Sequence, residues 1–443
     1  MPTPAFQTEV PREVVDLVQG RPTDFGVTLS VRTASDSRVE VEWGQEGGPT
    51  EGHLGPFQTQ AGLPLEVRLE ALQPDAAYRH RLRVQESGSL GVPTELEGRF
   101  HTARPPGRPF TFTVQADSHL DYGTDLELLR RSLTNAVASR PDFHMDLGDT
   151  FMTDKYLRHE DAAAHYSAQR FHLGRVGAVA PVFLVLGNHD GEGPGRGTDG
   201  GAMSVWANRM RKRHFPNPEP DGFYTGNGRT DPVGGPLQDY FAFRWGDALF
   251  VVLDPYRYSA RVRRSEDSGW LRSLGREQYD WLRTTLAGAF TRHTFVFVHN
   301  LVGGATPEAR GGSEASAFYE WGGRNPDGTT AFAERRPGWE APIHELLVRR
   351  GGVVVFHGHD HFFARQERDG VVYQLLPQPG HRRGHLGSAS SYGYREGRMI
   401  AGSGILRVRV GSESCTVDFL RVAHGRETET AFSYPVLPAR APR

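Results

Sequence analysis

Five short blocks of the sequence carry side chains that bind metal ions. They are Asp117-Ser118-His119, Gly148-Asp149-Thr150, Gly187-Asn188-His189-Asp190, Val298-His299-Asn300 and Gly358-His359-Asp360-His361. Each closes an apolar run: TFTVQA, FHMDLG, PVFLVLG, TFVFV and VVVFHG. Short apolar runs read as buried strands, and α/β folds build their sites just beyond the carboxyl ends of such strands. Asp-x-His and His-x-His spacings put alternate residues on one side of an extended segment, so both can reach one ion. One carboxylate can bridge two cations about 3.5–4 Å apart, a role open to Asp149. Asn188 adds a neutral oxygen. Oxygen and nitrogen donors without thiolate suit Mn, Fe, Zn, Co or Ni.

The elements that must position these blocks follow from the hydrophobic pattern. Phe110 to Val114, Phe143 to Leu147, Val182 to Leu186, Thr294 to Val298, Val353 to Phe356 and Val371 to Leu375 are strand-like. Tyr240 to Trp245 and Leu249 to Leu253 flank a Gly-Asp turn and predict an antiparallel hairpin. Thr124 with Glu127 reads as a capping box, followed by Leu126, Leu129, Leu133 and Val137 at helical spacing. Gln278 to Leu286 is a second amphipathic helix. Strands alternating with helices predict an α/β layered domain after residue 106. Two long, Gly-rich connections, 191–237 and 301–338, interrupt it, and such loops are usually functional or disordered.

Residues 1–106 read as all-β instead. Alternating runs recur at Val27–Val31, Val39–Trp43, Leu65–Leu69 and Arg79–Val84, separated by turn residues. Leu72, Pro74 and Tyr78 in LQPDAAY resemble the tyrosine corner of fibronectin type III-like sandwiches. The ARPPGRP stretch reads as a stiff linker.

Composition narrows the function classes. The chain has 443 residues, 37% hydrophobic and 23% charged, ordinary for a folded protein of two or three domains. No run of 18 apolar residues exists, so no membrane helix is expected. The opening MPTPAFQTEV has no basic stretch followed by an apolar one, which leaves both a cytoplasmic chain and a trimmed exported chain open. One cysteine, Cys415, excludes a disulfide framework, a zinc finger and an iron–sulfur cluster. A net charge of -2 disfavours nucleic acid and anionic lipid as partners. Nineteen histidines against one cysteine point to metal chemistry without thiolate.

Taken in order, the blocks DSH, GDT, GNHD, VHN and GHDH resemble the calcineurin-like metallophosphoesterase superfamily. With the fibronectin-like pattern, the PQPG stretch at 377–380 and SGILRVRV at 403–410, the chain is most similar to bacterial relatives of purple acid phosphatases. The resemblance covers nearly the whole chain. It implies a small all-β sandwich over 1–106 and a four-layer α/β/β/α catalytic sandwich over 107–443. It also implies two divalent or mixed-valence transition-metal ions. One would be held by Asp117, His119, Asp149 and His361, the other by Asp149, Asn188, His299 and His359. His189 is implied as the acid for the leaving group, with Asp190 orienting it through a ring N–H.

Two departures from purple acid phosphatases stand out. Met152 occupies the place of a tyrosine ligand, and Asp117-Ser118-His119 replaces a D-x-G block. No tyrosinate-to-iron charge-transfer band is therefore expected. The implied activity is hydrolysis of small phosphoric esters by a hydroxide bridging the two ions, with monoesters leading. Diester cleavage, including of cyclic nucleotides, is the alternative on the same site. A metal-free scaffold is the third reading, against which the complete ligand set stands. The oligomeric state is not legible.

Other residues carry weaker signals. Asn300 follows a ligand block directly and is a candidate substrate contact. His357 precedes one and is expected as a hydrogen-bonded neighbour of the site. His159, His165 and His172 read as a polar helix surface, and Arg209 to His214 as a solvated helix face. Tyr319 and Trp321 could line the site mouth or sit in a loop core. Arg382, Arg383 and His385 are further surface candidates.

Overall fold

Two facing sheets hold the site. The computed structural model describes residues 6–11, 15–193, 201–259, 269–288, 290–304 and 310–440. The first sheet has six strands in the order Val182–Leu184, Phe143–Asp146, Phe110–Gln115, Ser403–Val410, Cys415–Val422 and Glu429–Val436. The first three run parallel and the rest join antiparallel. The second has eight, with Ala248–Val252, His293–Phe297, Val353–His357 and Val371–Leu375 adjacent and parallel at its centre.

Period-two alternation aims one face of each strand into the gap between the sheets. Phe110, Phe112, Val114, Phe143 and Met145 from one sheet meet Phe250, Phe295, Phe297 and Phe356 from the other. The rings interlock edge to face, as in Phe112 and Phe295 with centroids 5.2 Å apart. Helices cover both outer faces. Leu129, Leu133, Tyr166 and Leu173 pack on Val182, Leu184 and Ile405. Tyr279, Leu282, Leu286, Ile343 and Leu347 pack on Val251, Val296 and Val355. The four α/β/β/α layers expected from the sequence are present.

The first helix, Leu126–Ala138, corrects the expected cap. Its N-cap is Asp125, whose carboxylate accepts the N–H groups of Glu127 at 3.0 Å and Leu128 at 3.2 Å. The Thr124 hydroxyl donates instead to the Ser118 carbonyl at 3.3 Å. Asp and Thr both cap well, and one residue of register separates them.

Residues 15–101 form a three-stranded and a four-stranded sheet around a shared apolar core that includes Leu29, Val31, Val39, Val41 and Leu82. The Tyr78 hydroxyl accepts the Gln73 N–H at 2.9 Å, closing the tyrosine corner. Two strands here, Val15–Gly20 and Gly52–Thr59, carry no clear alternating signal in the sequence.

Several helix surfaces are less polar in their setting than in their sequence. Residues 194–200 and 305–309 of the two long connections lie outside the described residues. The first connection contains the helix Ala202–His214, where Arg209 and Arg213 are exposed as expected. Arg211 and His214 are buried, and Arg211 pairs with Glu192. His165 and His172 are buried in the helix Ala163–Gly177, so the expectation of a polar surface fails for both. Tyr319 and Trp321 belong to the core, with the Trp321 indole donating to the Tyr373 hydroxyl at 3.0 Å. No helix among the described residues is long and apolar enough to cross a membrane.

Candidate metal centre

The parallel strands of both sheets deliver their carboxyl ends to one edge of the sandwich. Asp117, His119, Asp149 and Asn188 follow strands of the six-stranded sheet, and His299, His359 and His361 follow strands of the other. The side chains meet in two clusters, Asp117 with His119 and His361, and Asp149 with His299 and His359. Within each, one ligand atom per residue lies within 4.8 Å of the others.

Asp149 joins the clusters. Its Oδ2 is 3.2 Å from His299 Nε2 and 3.8 Å from His119 Nε2. Asp117 Oδ1 lies 3.4 Å from His361 Nε2 and 3.7 Å from His119 Nε2. The blocks approach this closely because glycines precede the ligands. A Cβ on Gly187 would stand 2.0 Å from the Asp149 nitrogen, and one on Gly358 would stand 2.6 Å from Asp117 Oδ2. No side chain fits at either position.

The donor atoms fit cations. His119 Nε2, His299 Nε2 and Asn188 Oδ1 are buried without a hydrogen-bond partner among the described residues. Such atoms call for a partner such as water or an ion, and two of the three, on His119 and His299, belong to the two clusters. Asp117 and Asp149 are fully buried, and their ion-pair partners within 4 Å among the described residues are all histidines. Without cations, protons take over the compensation. Burial alone would lower His299, but the charges of Asp149 and Asp117 outweigh it and push the ring up to about 9. Burial likewise opposes the charged form of His119, yet Asp117, Asp121 and Asp149 hold it well above its ordinary value. The carboxyl of Asp149 is held well below its usual range, burial being overcome by His299 and His189.

Asp190 takes a different place from the one expected. His189 Nε2 faces the clusters, 3.9 Å from Asp149 Oδ2. Its Nδ1 lies 3.0 and 3.1 Å from the two carboxylate oxygens of Asp154. Asp154 therefore orients the ring, and the Asp190 assignment is corrected. Asp190 accepts the backbone N–H groups of Gly187 at 2.7 Å, Asp149 at 3.1 Å, Thr150 at 2.9 Å and Phe151 at 2.8 Å. Those bonds tie the turn carrying Asn188 to the turn carrying Asp149. Burial and the Asp149 charge push the Asp190 carboxyl up to about 7, and the N–H donors pull against them. Asp154 sits five residues after Asp149 with no motif spacing, so nothing in the sequence singles it out.

Of the weaker candidates, Asn300 is buried beside His299, its side-chain oxygen accepting from the Tyr256 hydroxyl and its nitrogen donating to the Leu301 carbonyl at 3.2 Å. His357 is buried, and its Nε2 has no hydrogen-bond partner among the described residues. Arg382, Arg383 and His385 are exposed. Met152 is buried at the start of a short 3-10 turn.

Comparison with known proteins gives the family and the fold. The model of the calcineurin-like phosphoesterase family matches residues 110–363. No curated protein matches the sequence. A solved structure of PhoD superposes with a TM-score of 0.65 at 13% identity, covering 96% of this chain and 90% of that one. A purple acid phosphatase from yellow lupin (Lupinus luteus) seeds gives 0.60 at 12% identity, covering 96% and 74%. At these identities the two structures share the fold.

Proposed function

The chain belongs to the calcineurin-like phosphoesterases, and on that premise we propose that it hydrolyses small phosphoric monoesters at a centre of two transition-metal ions. The observation that carries the two-ion centre is the position of Asp149, whose Oδ2 lies 3.2 Å from His299 Nε2 of its own cluster and 3.8 Å from His119 Nε2 of the other, with Asp117 Oδ1 likewise 3.8 Å from His299 Nε2. Asp117, His119, Asp149 and His361 would hold one ion, and Asp149, Asn188, His299 and His359 the other. Bound there, two cations supply Lewis acidity toward the phosphoryl oxygens and a water of lowered pKa.

The remaining work falls to the protein. Asp154 accepts the Nδ1 proton of His189 and leaves Nε2 turned toward the clusters. From there Nε2 can pass a proton to the departing ester oxygen, while the contact with Asp154 holds the ring in that orientation. Asp190 fixes the two turns through four backbone N–H groups, keeping the ligands at the spacing that in-line attack needs. Asn300, directly after His299, is the candidate substrate contact, its side chain meanwhile held by the Tyr256 hydroxyl and the Leu301 carbonyl. Division of the chain at residue 106 belongs to the same proposal, and limited proteolysis tests it.

A panel of p-nitrophenyl phosphate and bis(p-nitrophenyl) phosphate, run with Mn, Fe, Zn, Co and Ni, tests the activity. Faster turnover of the monoester is expected. Preference for the bis ester would assign a diesterase, and no turnover with any ion would favour the scaffold.

A further inference from the structure

The stretch before the first strand braces the loop that carries His119. Phe6 pairs with Asp121 as an isolated antiparallel bridge. The Gln7 backbone N–H donates to the Leu120 carbonyl at 2.7 Å. Its side-chain amide donates to the carbonyls of Asp121 at 2.8 Å and Thr124 at 2.7 Å. The Phe6 ring stacks on Tyr156 at 5.1 Å and lies 4.9 Å from His165, which anchors the segment against the helix Ala163–Gly177.

That loop needs bracing. Asp117, His119 and Leu120 have φ angles of 57°, 45° and 55°, all in the left-handed region. Residues with a Cβ stay there only when the surroundings over-determine them. Before His119 the restraints come from the catalytic fold: the Gln378 amide donates to the Asp117 carbonyl at 3.1 Å and the Gln169 amide to the Ser118 hydroxyl at 2.9 Å. After His119, Gln7 engages the carbonyls of Leu120, Asp121 and Thr124. Asp121 also reaches back to His119, with Oδ2 3.4 Å from Nδ1. The Gln378 amide nitrogen lies at the same 3.4 Å from Nδ1, so the His119 ring is held between a contact from the catalytic fold and one, Asp121, whose backbone Gln7 holds.

We propose that Gln7 is a positioning residue for the ion held by Asp117, His119 and His361, acting through the Leu120–Thr124 loop. The inference rests on the two-ion reading above. It makes the first ion site depend on a segment outside residues 110–363, and it reaches the second site, built on Asp149, His299 and His359, only through the shared Asp149.

Titration of the metal-free protein with Co2+, followed by visible absorption and calorimetry, tests it. Gln7→Met keeps the size of the side chain and removes its donors. Removal of residues 1–7 leaves the first strand, which begins at Val15, intact and decides the question should Gln7→Met not fold. Both variants are expected to bind one Co2+ as the parent does and the other at least tenfold more weakly, with an altered band for that ion. Gln7→Lys, which restores donors to the two carbonyls, is expected to recover the parent titration. Equal affinities in parent and variants would overturn the proposal, as would equal weakening of both ions. A parent that binds no Co2+ would overturn the two-ion reading and this inference with it.

Discussion

The Nδ1 atom of His189 lies 3.0 Å from the carboxylate of Asp154, a residue that belongs to none of the five ligand blocks. This contact fixes which nitrogen faces the clusters, so its removal should damage proton delivery and spare ion binding. His189→Ala should slow hydrolysis of an alkyl phosphate by about 10²–10⁴-fold, the usual range for general acid catalysis. Asp154→Asn should slow it by about tenfold, or 1.4 kcal/mol of barrier. p-Nitrophenyl phosphate, whose leaving group needs little protonation, should lose less in both variants. Equal losses on the two substrates would count against the acid role.

Asp190 predicts a stability effect. Asp190→Ala removes the acceptor of four buried N–H groups, each costing about 1–3 kcal/mol when left unsatisfied. Water entering the gap offsets part of this, so a loss of several kcal/mol is expected in urea denaturation. Asp190→Asn retains one acceptor oxygen and should fall between the two. A change below about 1 kcal/mol in Asp190→Ala would show that the turns hold without it.

The five ligand blocks are legible because strand ends are local: an apolar run and the residues just after it lie together in the sequence. Residues that act from a distance are not. Asp154 has no spacing that marks it, and Gln7 lies 114 residues from the Asp121 carbonyl it binds. Arg211 and His214 read as solvated because their helix is basic, whereas Glu192 supplies a buried partner that composition does not reveal. His165 and His172 escape for the same reason, since burial of a neutral ring depends on tertiary packing. Thr124 and Asp125 are both good caps, and only the backbone decides between them.

His80 predicts a pH dependence far from the metal centre. Burial between the sheets of residues 15–101 lowers this ring to about 4. Its Nε2 lies 3.1 Å from the Gln19 amide nitrogen. In the unfolded chain a histidine titrates near about 6.5. Below that pH the unfolded state takes up a proton that the folded state refuses, so this contribution to stability is lost as pH falls from about 6.5 toward about 4. The slope is about 1.4 kcal/mol per pH unit for one group. His80→Gln removes the linkage, so the stability of the parent relative to the variant should decline over that window. A difference that stays constant with pH would contradict the buried neutral ring.

Ion removal should leave a folded protein. Protonated His119 and His299 compensate the buried carboxylates when cations are stripped by a chelator. Restoring ions should raise the unfolding temperature, because each site filled at about 100 times its Kd adds about 2.7 kcal/mol. Thermal unfolding followed with and without Mn2+ or Zn2+ checks this, and identical curves would argue against bound ions.

The central claim is that one carboxylate, Asp149, serves two ions. Elemental analysis of Asp149→Ala beside the parent, both loaded with the same metal and assayed on p-nitrophenyl phosphate, measures it directly. The account predicts two ions per parent chain, at most one in the variant, and nearly complete loss of turnover. Two ions and retained turnover in Asp149→Ala would contradict it.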